Sequence, residues 1–533
     1  MASFDESKER IAAFFSDPKR VVAVAVTIVV LALTAVFTTR SGDEATSLRG
    51  GDPATDGGGS VDGDGFTLDD EGEGGSGSAG SGSAGGGTSS GTVSAPGTNG
   101  SPGSSGSAAV TDKEIKIGIA YNEDPETGNA AAGFVGIGQV DQKRAWETMI
   151  KEVNRTGVAG RKVVPVAYSF TTQDIQTKGA ETLAQEMCAH WTQDNKVFMA
   201  WAGGGTDTLR GCLTKAKVAQ LSGGTGFSYG KTFTDYPWLV EHNTPAQDRM
   251  AAFHVDRLHA AGFFSEFKND AGFDPPVPAD GKPRIGLIRY NEPSYRAAAT
   301  TLKESLANKG LSLCNGCEFE IVFGYNIQDQ LGEANQINAA VDNCKSKGCT
   351  HMLFLGSTQG VRITIFSVEQ MERQRYRPRL GFNTLDAPQA VADLLGAQYY
   401  PQFRESVLVG WSPSIDYNLE TKGYKACKAL FVEAGETFGG TDDTAGNKDN
   451  QITAYCDTAW YFRAAMNAAG TAKVSLDSWL TGVHSVEPVT SAGTYVMQTK
   501  QGRHDGAGAI RLGAWFDDDD CSCFRPTTGM IPI

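Results

Sequence analysis

The sequence predicts an α/β protein with two lobes, each built around a parallel sheet. Short β-branched runs alternate with amphipathic stretches from residue 115 onward, as in parallel strands connected by helices. This alternation occurs as two series, separated by a proline-rich break at residues 275–283. Each series is too short to form a large domain, so two lobes are expected.

The first strand, helix and second strand follow one another at the start of the first series. Residues 115–121 (IKIGIAY) are typical of a strand buried on both faces, and residues 163–168 (VVPVAY) form the next strand. Between them, four apolar residues recur at the spacing of one helix face: Trp146, Met149, Ile150 and Val153. A right-handed βαβ unit is therefore predicted, with a ligand crevice at the carboxyl ends of the strands.

The same stretch resembles the opening of type I solute-binding proteins, the Leu/Ile/Val-binding family that serves ABC importers. The resemblance is carried by IKIGIAY, a glycine-rich loop and ETMIKEVNRTGVAGRKVVPVAYSF, above all by the helix end IKEVNRTGVAGRKV, and it covers roughly Asp112 to the C-terminus. It implies the two-lobed type I periplasmic-binding-protein fold, in which the chain recrosses the hinge. The implied lobe 1 is 111–246 plus 407–495, and the implied lobe 2 is 247–406 plus 496–533.

The remaining elements follow from periodicity and from turn residues. Further strands are expected at 197–202, 219–224, 238–242, 284–290, 319–325, 351–356, 379–383, 407–411, 493–499 and 508–516. Further helices are expected at 177–191, 206–218, 246–262, 295–309, 331–347, a stretch ending at 374, 424–434 and 453–469.

A membrane anchor and a linker are predicted before the first strand. Residues 1–20 are short, polar and partly basic, and an uncharged apolar run begins at residue 21. We expect a transmembrane helix at 21–38 with the N-terminus cytoplasmic and the rest outside. A cleaved signal peptide is the alternative. Residues 39–110 are rich in Gly, Ser and acidic side chains, which predicts a disordered linker.

The net charge of −15 belongs mostly to that linker. Residues 41–110 hold ten acidic side chains and one arginine, so they carry −9 of the total. The remainder is mildly acidic and gives no support to nucleic-acid binding.

The ten cysteines all lie at or after Cys188, in the part expected outside the cell. An even number there is typical of disulfides in an oxidising compartment. Expected proximity favours three pairs: Cys188 with Cys212, Cys344 with Cys349, and Cys427 with Cys456. For the rest, pairing of Cys314 with Cys317 and of Cys521 with Cys523, or cross-pairing of these two sets, both remain open. The seven histidines do not cluster, and the acidic run at residues 517–520 lacks the alternating spacing and the glycine of a calcium loop, so we predict no metal site and no cofactor.

Two glycine-rich loops follow predicted strands of lobe 1. Backbone N–H groups at such corners favour an anionic ligand group such as a carboxylate. The alternative is that these glycines only permit tight turns. In the resembled family both loops hold the ligand's carboxylate, which implies Gly205, Thr206, Ser222, Gly224 and Thr225 here, with Gly204 beside them.

Other strand ends complete the predicted ligand site. Tyr121 ends the first strand, and Tyr229 follows the second glycine loop. From lobe 2, Tyr290 and Tyr295 resemble the family's aromatic contact, and Ser357, Asn383 and Asp386 end two further strands. Asp386 is expected to pair with a ligand ammonium.

No Ser-His-Asp set or other catalytic pattern can be assembled, so we predict a protein that is not an enzyme, with no catalytic residues. The predicted function is that of a membrane-anchored solute-binding protein of an ABC-type importer. It would capture an amino-acid-like or amide-like solute by hinged closure and present it to permease subunits in the membrane. The alternative is a ligand-sensing receptor of the same fold that works through a membrane partner.

Overall fold

The computed structural model describes residues 109–127, 139–201, 206–223, 227–267, 282–323, 327–356, 361–438, 447–470 and 473–533. The predicted segments at 1–20 and 21–38, and nearly all of the predicted linker at 39–110, lie outside these residues. The linker prediction extends two residues too far, because Ala109 is buried in lobe 1 and Val110 pairs with Ile115. Among the described helices, none combines the length and the apolar character that crossing a bilayer requires.

Strands and helices alternate through most of the described chain. The strands are β1 (Glu114–Asn122), β2 (Lys162–Phe170), β3 (Met199–Trp201), β4 (Ala219–Ser222), β5 (Leu239–Glu241), β6 (Ile285–Tyr290), β7 (Leu313–Ile321), β8 (His351–Leu355), β9 (Arg379–Asn383), β10 (Val407–Gly410), β11 (Ala509–Asp517), β12 (Ser522–Pro526) and β13 (Ile531–Pro532). The helices are α1 (Gln142–Thr156), α2 (Thr172–Ala189), α3 (Asp207–Lys215), α4 (Gly230–Asp235), α5 (Gln247–Ala260), α6 (Pro293–Ala307), α7 (Ile327–Ser346), α8 (Val361–Arg373), α9 (Pro388–Leu395), α10 (Pro413–Tyr417), α11 (Lys422–Glu433), α12 (Asn447–Ala468) and α13 (Leu476–Ser485).

Lobe 1 is a parallel five-stranded sheet in the order β2-β1-β3-β4-β5, with helices on both faces. Its strands are apolar runs because both faces are covered. On one face Met149 of α1 packs with Phe462 of α12 and Trp479 of α13. On the other face Met187 of α2 packs with Leu209 of α3.

Lobe 2 is a mixed sheet in the order β12-β11-β10-β9-β8-β6-β7, with β13 paired to β11. Strands β6 to β10 pair in parallel, and β11 to β13 pair antiparallel at one side. A single continuous core includes residues from α5 to α9 and from the strands between them.

The chain crosses between the lobes three times. It passes from β5 to α5, from α10 to α11, and from the segment after α13 to β11. The first and third crossings are tied together, because the Glu241 backbone N–H donates to the His504 carbonyl (2.9 Å) and the Arg249 guanidinium donates to the Asp505 carboxylate (2.5 Å). The second and third are tied by the Ser412 hydroxyl, which donates to the Gly493 carbonyl (2.6 Å). These contacts hold three adjacent segments at a hinge.

The position of the second crossing differs from the expected one. The sequence placed the return to lobe 1 at residue 407, but β10 pairs in parallel with β9 and antiparallel with β11 inside the lobe 2 sheet. The return part of lobe 1 begins with α11 instead. An apolar run such as residues 407–411 predicts a buried strand without indicating which sheet it joins.

Several local elements also differ from the predictions. Residues 493–499 are not a ladder strand, because within them only Met497 forms an isolated bridge, with Val489. Helices α4, α9 and α10 and the two-residue strand β13 were not predicted. Helix α13 and strand β12 were not predicted either. The helix is short, and β12 depends on a partner, β11, that lies within the same C-terminal hairpin.

Two of the three predicted disulfides are present. Cys188 is bonded to Cys212 and Cys427 to Cys456, joining helices that pack side by side. The four cysteines left open pair within their sets, as Cys314–Cys317 and Cys521–Cys523. The predicted Cys344–Cys349 bond is absent: both cysteines are free and buried, with their Sγ atoms 2.8 Å apart, and the Cys349 sulfur also lies 3.5 Å from that of Cys314.

Candidate functional site

An aromatic cluster connects the two lobes at the carboxyl ends of their strands. Phe227 lies in the loop after β4 of lobe 1, and its ring meets those of Tyr295 and Phe323 of lobe 2 edge-on, with centroids 5.8 and 6.2 Å apart. Tyr290, the last residue of β6, lies 5.7 Å from Tyr295 and 5.0 Å from Phe323. We call Phe227, Tyr290, Tyr295 and Phe323 the aromatic cluster. It places a lobe 1 side chain against the end of the lobe 2 sheet.

A buried ion pair adjoins the aromatic cluster. The Arg362 guanidinium, in the first turn of α8, donates from Nη2 to Glu333 Oε2 (2.9 Å) and from Nε to Glu333 Oε1 (3.1 Å). The Tyr290 hydroxyl donates to the same Oε1 (2.6 Å), and Arg362 also lies 4.7 Å over the Phe323 ring. Burial, and then the Glu333 charge, raise the pKa of the Tyr290 hydroxyl well above its usual value, so it remains a donor. Charge and aromatic surface therefore meet at one place in lobe 2.

Glu292 brings a second carboxyl group to this region. It precedes α6 and follows β6, and one of its carboxylate oxygens, Oε2, is buried without a hydrogen-bond partner among the described residues. Burial raises the pKa of this carboxyl to about 7, and the nearby Glu333 charge contributes in the same direction. A carboxyl group with this pKa can act as a hydrogen-bond donor near neutral pH.

Lobe 1 contributes a second buried polar group at the end of β5. The Ser228 hydroxyl donates to Glu241 Oε1 (2.5 Å), and Arg210 Nη2 lies 3.6 Å from the same oxygen. Burial raises the pKa of the Glu241 carboxyl, and Arg210 opposes that shift. Arg210 extends from α3, one turn after the first glycine-rich loop, so the loop and the ion pair are neighbours in the chain.

The predicted lobe 1 residues have different local roles. Thr206 is buried and caps α3, since its hydroxyl accepts from the Leu209 N–H (3.1 Å). The buried Ser222 hydroxyl donates to the Gly223 carbonyl (2.8 Å). Tyr229 is half-buried at the start of α4. Gly204, Gly205, Gly224 and Thr225 lie outside the described residues.

Tyr121 lines a separate recess at the end of β1. The recess has a volume of about 560 Å³ and is formed by residues 121–127 and 139–143. Four of its side chains are acidic and one is basic, so it suits a cationic or neutral group better than an anion: Glu123, Asp124, Glu126, Asp141 and Lys143.

The predicted lobe 2 residues separate into two groups. Tyr290 and Tyr295 both join the aromatic cluster. Asn383 and Asp386 are fully buried, and they cap a short turn, since Asp386 Oδ2 accepts from the Asn383 backbone N–H (2.8 Å) and side-chain amide (2.7 Å). Burial raises the pKa of the Asp386 carboxyl well above its usual value, so this group is unsuited to pairing with a ligand ammonium in this conformation. Ser357 lies outside the described residues.

Sequence reasoning missed Phe323, Glu333, Arg362 and Glu292. Glu333 and Arg362 lie on the inner faces of two helices, where the spacing of polar residues resembles that of solvated faces. Glu292 itself offered a signal, because it precedes a proline at a predicted strand-to-helix corner.

Known structures share this fold at low sequence identity. One is the solute binding protein of an ABC transporter from Rhodopseudomonas palustris HaA2 in complex with p-hydroxybenzoic acid, at 10% identity and a TM-score of 0.52, covering 79% of this chain and 97% of that chain. A solute binding protein from R. palustris BisB5 in complex with 3,4-dihydroxy benzoic acid matches at 12% identity, a TM-score of 0.50, and 79% and 98% coverage. An extracellular ligand-binding receptor from R. palustris HaA2 matches at 12% identity, a TM-score of 0.50, and 78% and 100% coverage.

No protein-family model and no curated protein matches this sequence. The likeness is therefore one of fold: two α/β lobes of the type I periplasmic-binding architecture, as the sequence resemblance implied.

Proposed function

We propose that this chain, which has the type I periplasmic-binding fold, is a membrane-anchored extracytoplasmic solute-binding protein of an ABC-type importer. It would bind a small solute between its lobes and make or break no bond in it. The observation that carries the proposal is the contact of Phe227 from lobe 1 with Tyr295 and Phe323 from lobe 2, beside the Glu333–Arg362 pair. A solute that touches both sides of this contact would favour the closed arrangement by its differential contacts.

We propose a small aromatic or amino-acid-like carboxylate as the solute class. The aromatic cluster offers ring surface, and the Arg362 guanidinium offers a planar cation beside it. Two proteins of the same fold bind hydroxybenzoic acids, which combine one ring with one carboxylate. Amide-like solutes, the other class expected from the sequence, would use the same ring surface with hydrogen bonds from Tyr290 or Glu292.

The membrane anchor and the linker complete the proposal. The uncharged apolar run at residues 21–38 and the basic flank before it support a single span with the N-terminus in the cytoplasm. We propose that the Gly- and Ser-rich residues 39–110 serve as a tether, for which a root-mean-square reach of roughly 45–50 Å is expected, enough to let the lobes meet permease subunits in the same membrane.

The alternative is a ligand-sensing receptor of the same fold. One protein that shares the fold is described as an extracellular ligand-binding receptor. Such a receptor would work through a membrane partner. Co-purification with permease subunits supports the importer, and co-purification with a signalling protein supports the receptor.

The binding test uses the purified chain with 4-hydroxybenzoate, benzoate, phenylalanine, leucine and their amides. A true ligand at a hundredfold excess over its Kd should stabilise the fold by about 2.7 kcal/mol, measured as a shift of thermal unfolding. Native mass spectrometry of the untreated protein would identify a co-purified solute. Arg362→Lys should weaken binding of a carboxylate, whereas Arg377→Lys, a pair partner of Glu372 away from the cluster, should not.

The proposal fails if ligand contacts lie elsewhere. An affinity that is unchanged in both Phe227→Ala and Tyr295→Ala would place the solute outside the aromatic cluster. Capture between the lobes would be contradicted by two results together: none of these compounds binds, and a co-purified solute does not change the scattering profile.

A further inference from the structure

Four cysteines from two separate turns converge at one edge of the lobe 2 sheet. Cys314 and Cys317 flank a bulge in the edge strand β7. Ile285 of β6 pairs with Leu313 of β7, but Leu287, two residues further along β6, pairs with Glu318. Cys344 lies in the last turn of α7, and Cys349 precedes β8. The Cys349 Sγ lies 2.8 Å from that of Cys344 and 3.5 Å from that of Cys314, and the Sγ atoms of Cys314, Cys317 and Cys349 all lie within 4.8 Å of one another.

The two turns have the same local design. The sequence gives C-x2-C in one turn and C-x4-C in the other, and a glycine directly precedes the second cysteine of each. Gly316 has φ +67° and Gly348 has φ +68°, a backbone region that other residues seldom adopt. Paired cysteines two to four residues apart on tight turns are typical of structural zinc sites.

The surroundings fit a compact group of sulfur atoms. A Cβ atom at Gly286 of β6 would lie 2.3 Å from the Cys344 Sγ and 3.2 Å from the Cys349 Sγ, so only glycine lets the sulfurs rest on that strand. Lys347 Nζ, from the second turn, donates to the carbonyls of Gly316 (2.7 Å) and Asn315 (3.3 Å) in the first. This contact joins the turns and places a positive charge beside the cluster.

We propose that Cys314, Cys317, Cys344 and Cys349 form a tetrathiolate site for Zn²⁺. A Zn–S distance of about 2.3 Å in a tetrahedral site separates the sulfurs by roughly 3.8 Å. The Cys349 sulfur already lies 2.8 Å from that of Cys344 and 3.5 Å from that of Cys314, whereas the Cys314–Cys317 bond must be broken before those two sulfurs can separate. Three of the four side chains, those of Cys317, Cys344 and Cys349, are fully buried, which suits a structural rather than an exchangeable ion. The Cys314–Cys317 disulfide is the oxidised, metal-free form of the same cluster.

Zinc binds only the reduced chain. A dithiol reductant first supplies two electrons and two protons to the Cys314–Cys317 bond and is itself oxidised to a disulfide, and metal binding then involves no electron transfer. Each of the four thiols loses its proton to solvent as its sulfur bonds to the ion, so binding releases protons and is weakened at low pH. The resulting site carries two negative charges, which Lys347 partly offsets.

The test is made on the full chain, purified with a thiol reductant and without chelator. We expect about one zinc per chain by elemental mass spectrometry. Cobalt added in place of zinc should give thiolate-to-metal charge-transfer bands and the intense visible bands of a tetrahedral ion. Cys349→Ser should lose the metal and these bands, whereas Cys427→Ser combined with Cys456→Ser should keep both.

Any one of three results would overturn the site. The first is that the reduced wild-type chain binds neither zinc nor cobalt. The second is that the metal persists at the same stoichiometry in Cys349→Ser. The third is that peptide mapping of the chain, isolated from its own cell without reductant, recovers all four cysteines as two disulfides with no zinc. The cobalt spectrum of the wild type keeps the test decisive if a serine variant does not fold.

Discussion

The Phe227 ring of lobe 1 lies edge-on to the Tyr295 ring of lobe 2, with centroids 5.8 Å apart and an interplanar angle of 75°. Phe227 is 9% exposed, and it belongs to the hydrophobic core of lobe 2 although its neighbours in the chain belong to lobe 1. A loop of one lobe thus completes the core of the other. The contact therefore couples closure of the lobes to burial of apolar surface.

Phe227→Ala should favour the open arrangement. Loss of the two edge-to-face contacts should cost about 1 kcal/mol or more of the free energy that holds the lobes together, beyond the area no longer buried. Small-angle scattering should report a larger radius of gyration without ligand. Phe431→Ala, a truncation inside the lobe 1 core, should lower stability and leave the scattering profile unchanged. Equal radii for wild type and Phe227→Ala would show that the contact does not hold the lobes.

The strands and helices of both lobes were largely predictable, because their patterns are local. Residues 115–121 and 379–383 are β-branched or apolar runs bounded by polar corners, and they form β1 and β9 almost as expected. The sheet that β10 joins was not predictable, since its apolar run fits either sheet. Partner choice depends on contacts that are distant in the chain.

The site was only partly predictable for the same reason. Tyr290 and Tyr295 stand at a strand end and a helix start, where position alone suggests a ligand contact. Glu333 and Arg362 lie inside separate helices, and only the packing of α7 against α8 makes them a pair. Asp386 illustrates the opposite difficulty, because a residue after a strand can turn inward and cap its own loop.

Single substitutions in the Glu333–Arg362 pair should strongly destabilise the fold. Arg362→Met leaves the fully buried Glu333 carboxylate without its guanidinium, which should cost about 3–5 kcal/mol of unfolding free energy. Glu333→Gln combined with Arg362→Met should recover much of this loss, because no lone charge remains. Urea unfolding of the two single variants and the double variant measures the coupling. Additive losses would mean that the two side chains act independently.

A disulfide that closes a longer loop should stabilise the fold more, because the chain-entropy contribution grows with the logarithm of loop length. Removing Cys427–Cys456, which spans 29 residues, should cost about 3 kcal/mol because the unfolded chain gains conformational freedom. Cys521–Cys523 spans two residues, so its removal should cost much less and serves as the control. Urea midpoints of the paired serine variants test this order. An equal loss for both pairs would point to strain or local contacts instead of chain entropy.

Buried histidines should make the fold sensitive to acid. Burial lowers the pKa of His254 to about 4, against an ordinary value of 6.5, while its Nε2–H donates to the Phe382 carbonyl (3.1 Å). The unfolded chain therefore binds the proton first, and stability present above pH 6.5 is lost as the pH falls toward 4, by roughly 3 kcal/mol for this residue. His254→Gln should flatten this dependence in urea unfolding, whereas His259→Gln, exposed on the same helix, should not.

Glu292 should produce the opposite dependence on pH. Burial raises the pKa of its carboxyl from 4.5 to about 7, so between these values the folded protein holds a proton that the unfolded chain has released. Stability contributed by this residue is thus complete below pH 4.5 and declines as the pH rises through 7, by roughly 3 kcal/mol in total. Glu292→Gln keeps a neutral group of the same shape, so its advantage over the wild type in urea unfolding should be near zero at pH 4.5 and largest at pH 8.

A ligand carboxylate near Glu292 would raise the pKa of the Glu292 carboxyl further, and binding would then take up a proton near neutral pH, detectable by calorimetry in buffers of different ionisation enthalpy. If the difference between Glu292→Gln and wild type is the same at pH 4.5 and pH 8, the carboxyl is ionised in the folded protein and its interaction with Glu333 is weaker than the geometry implies.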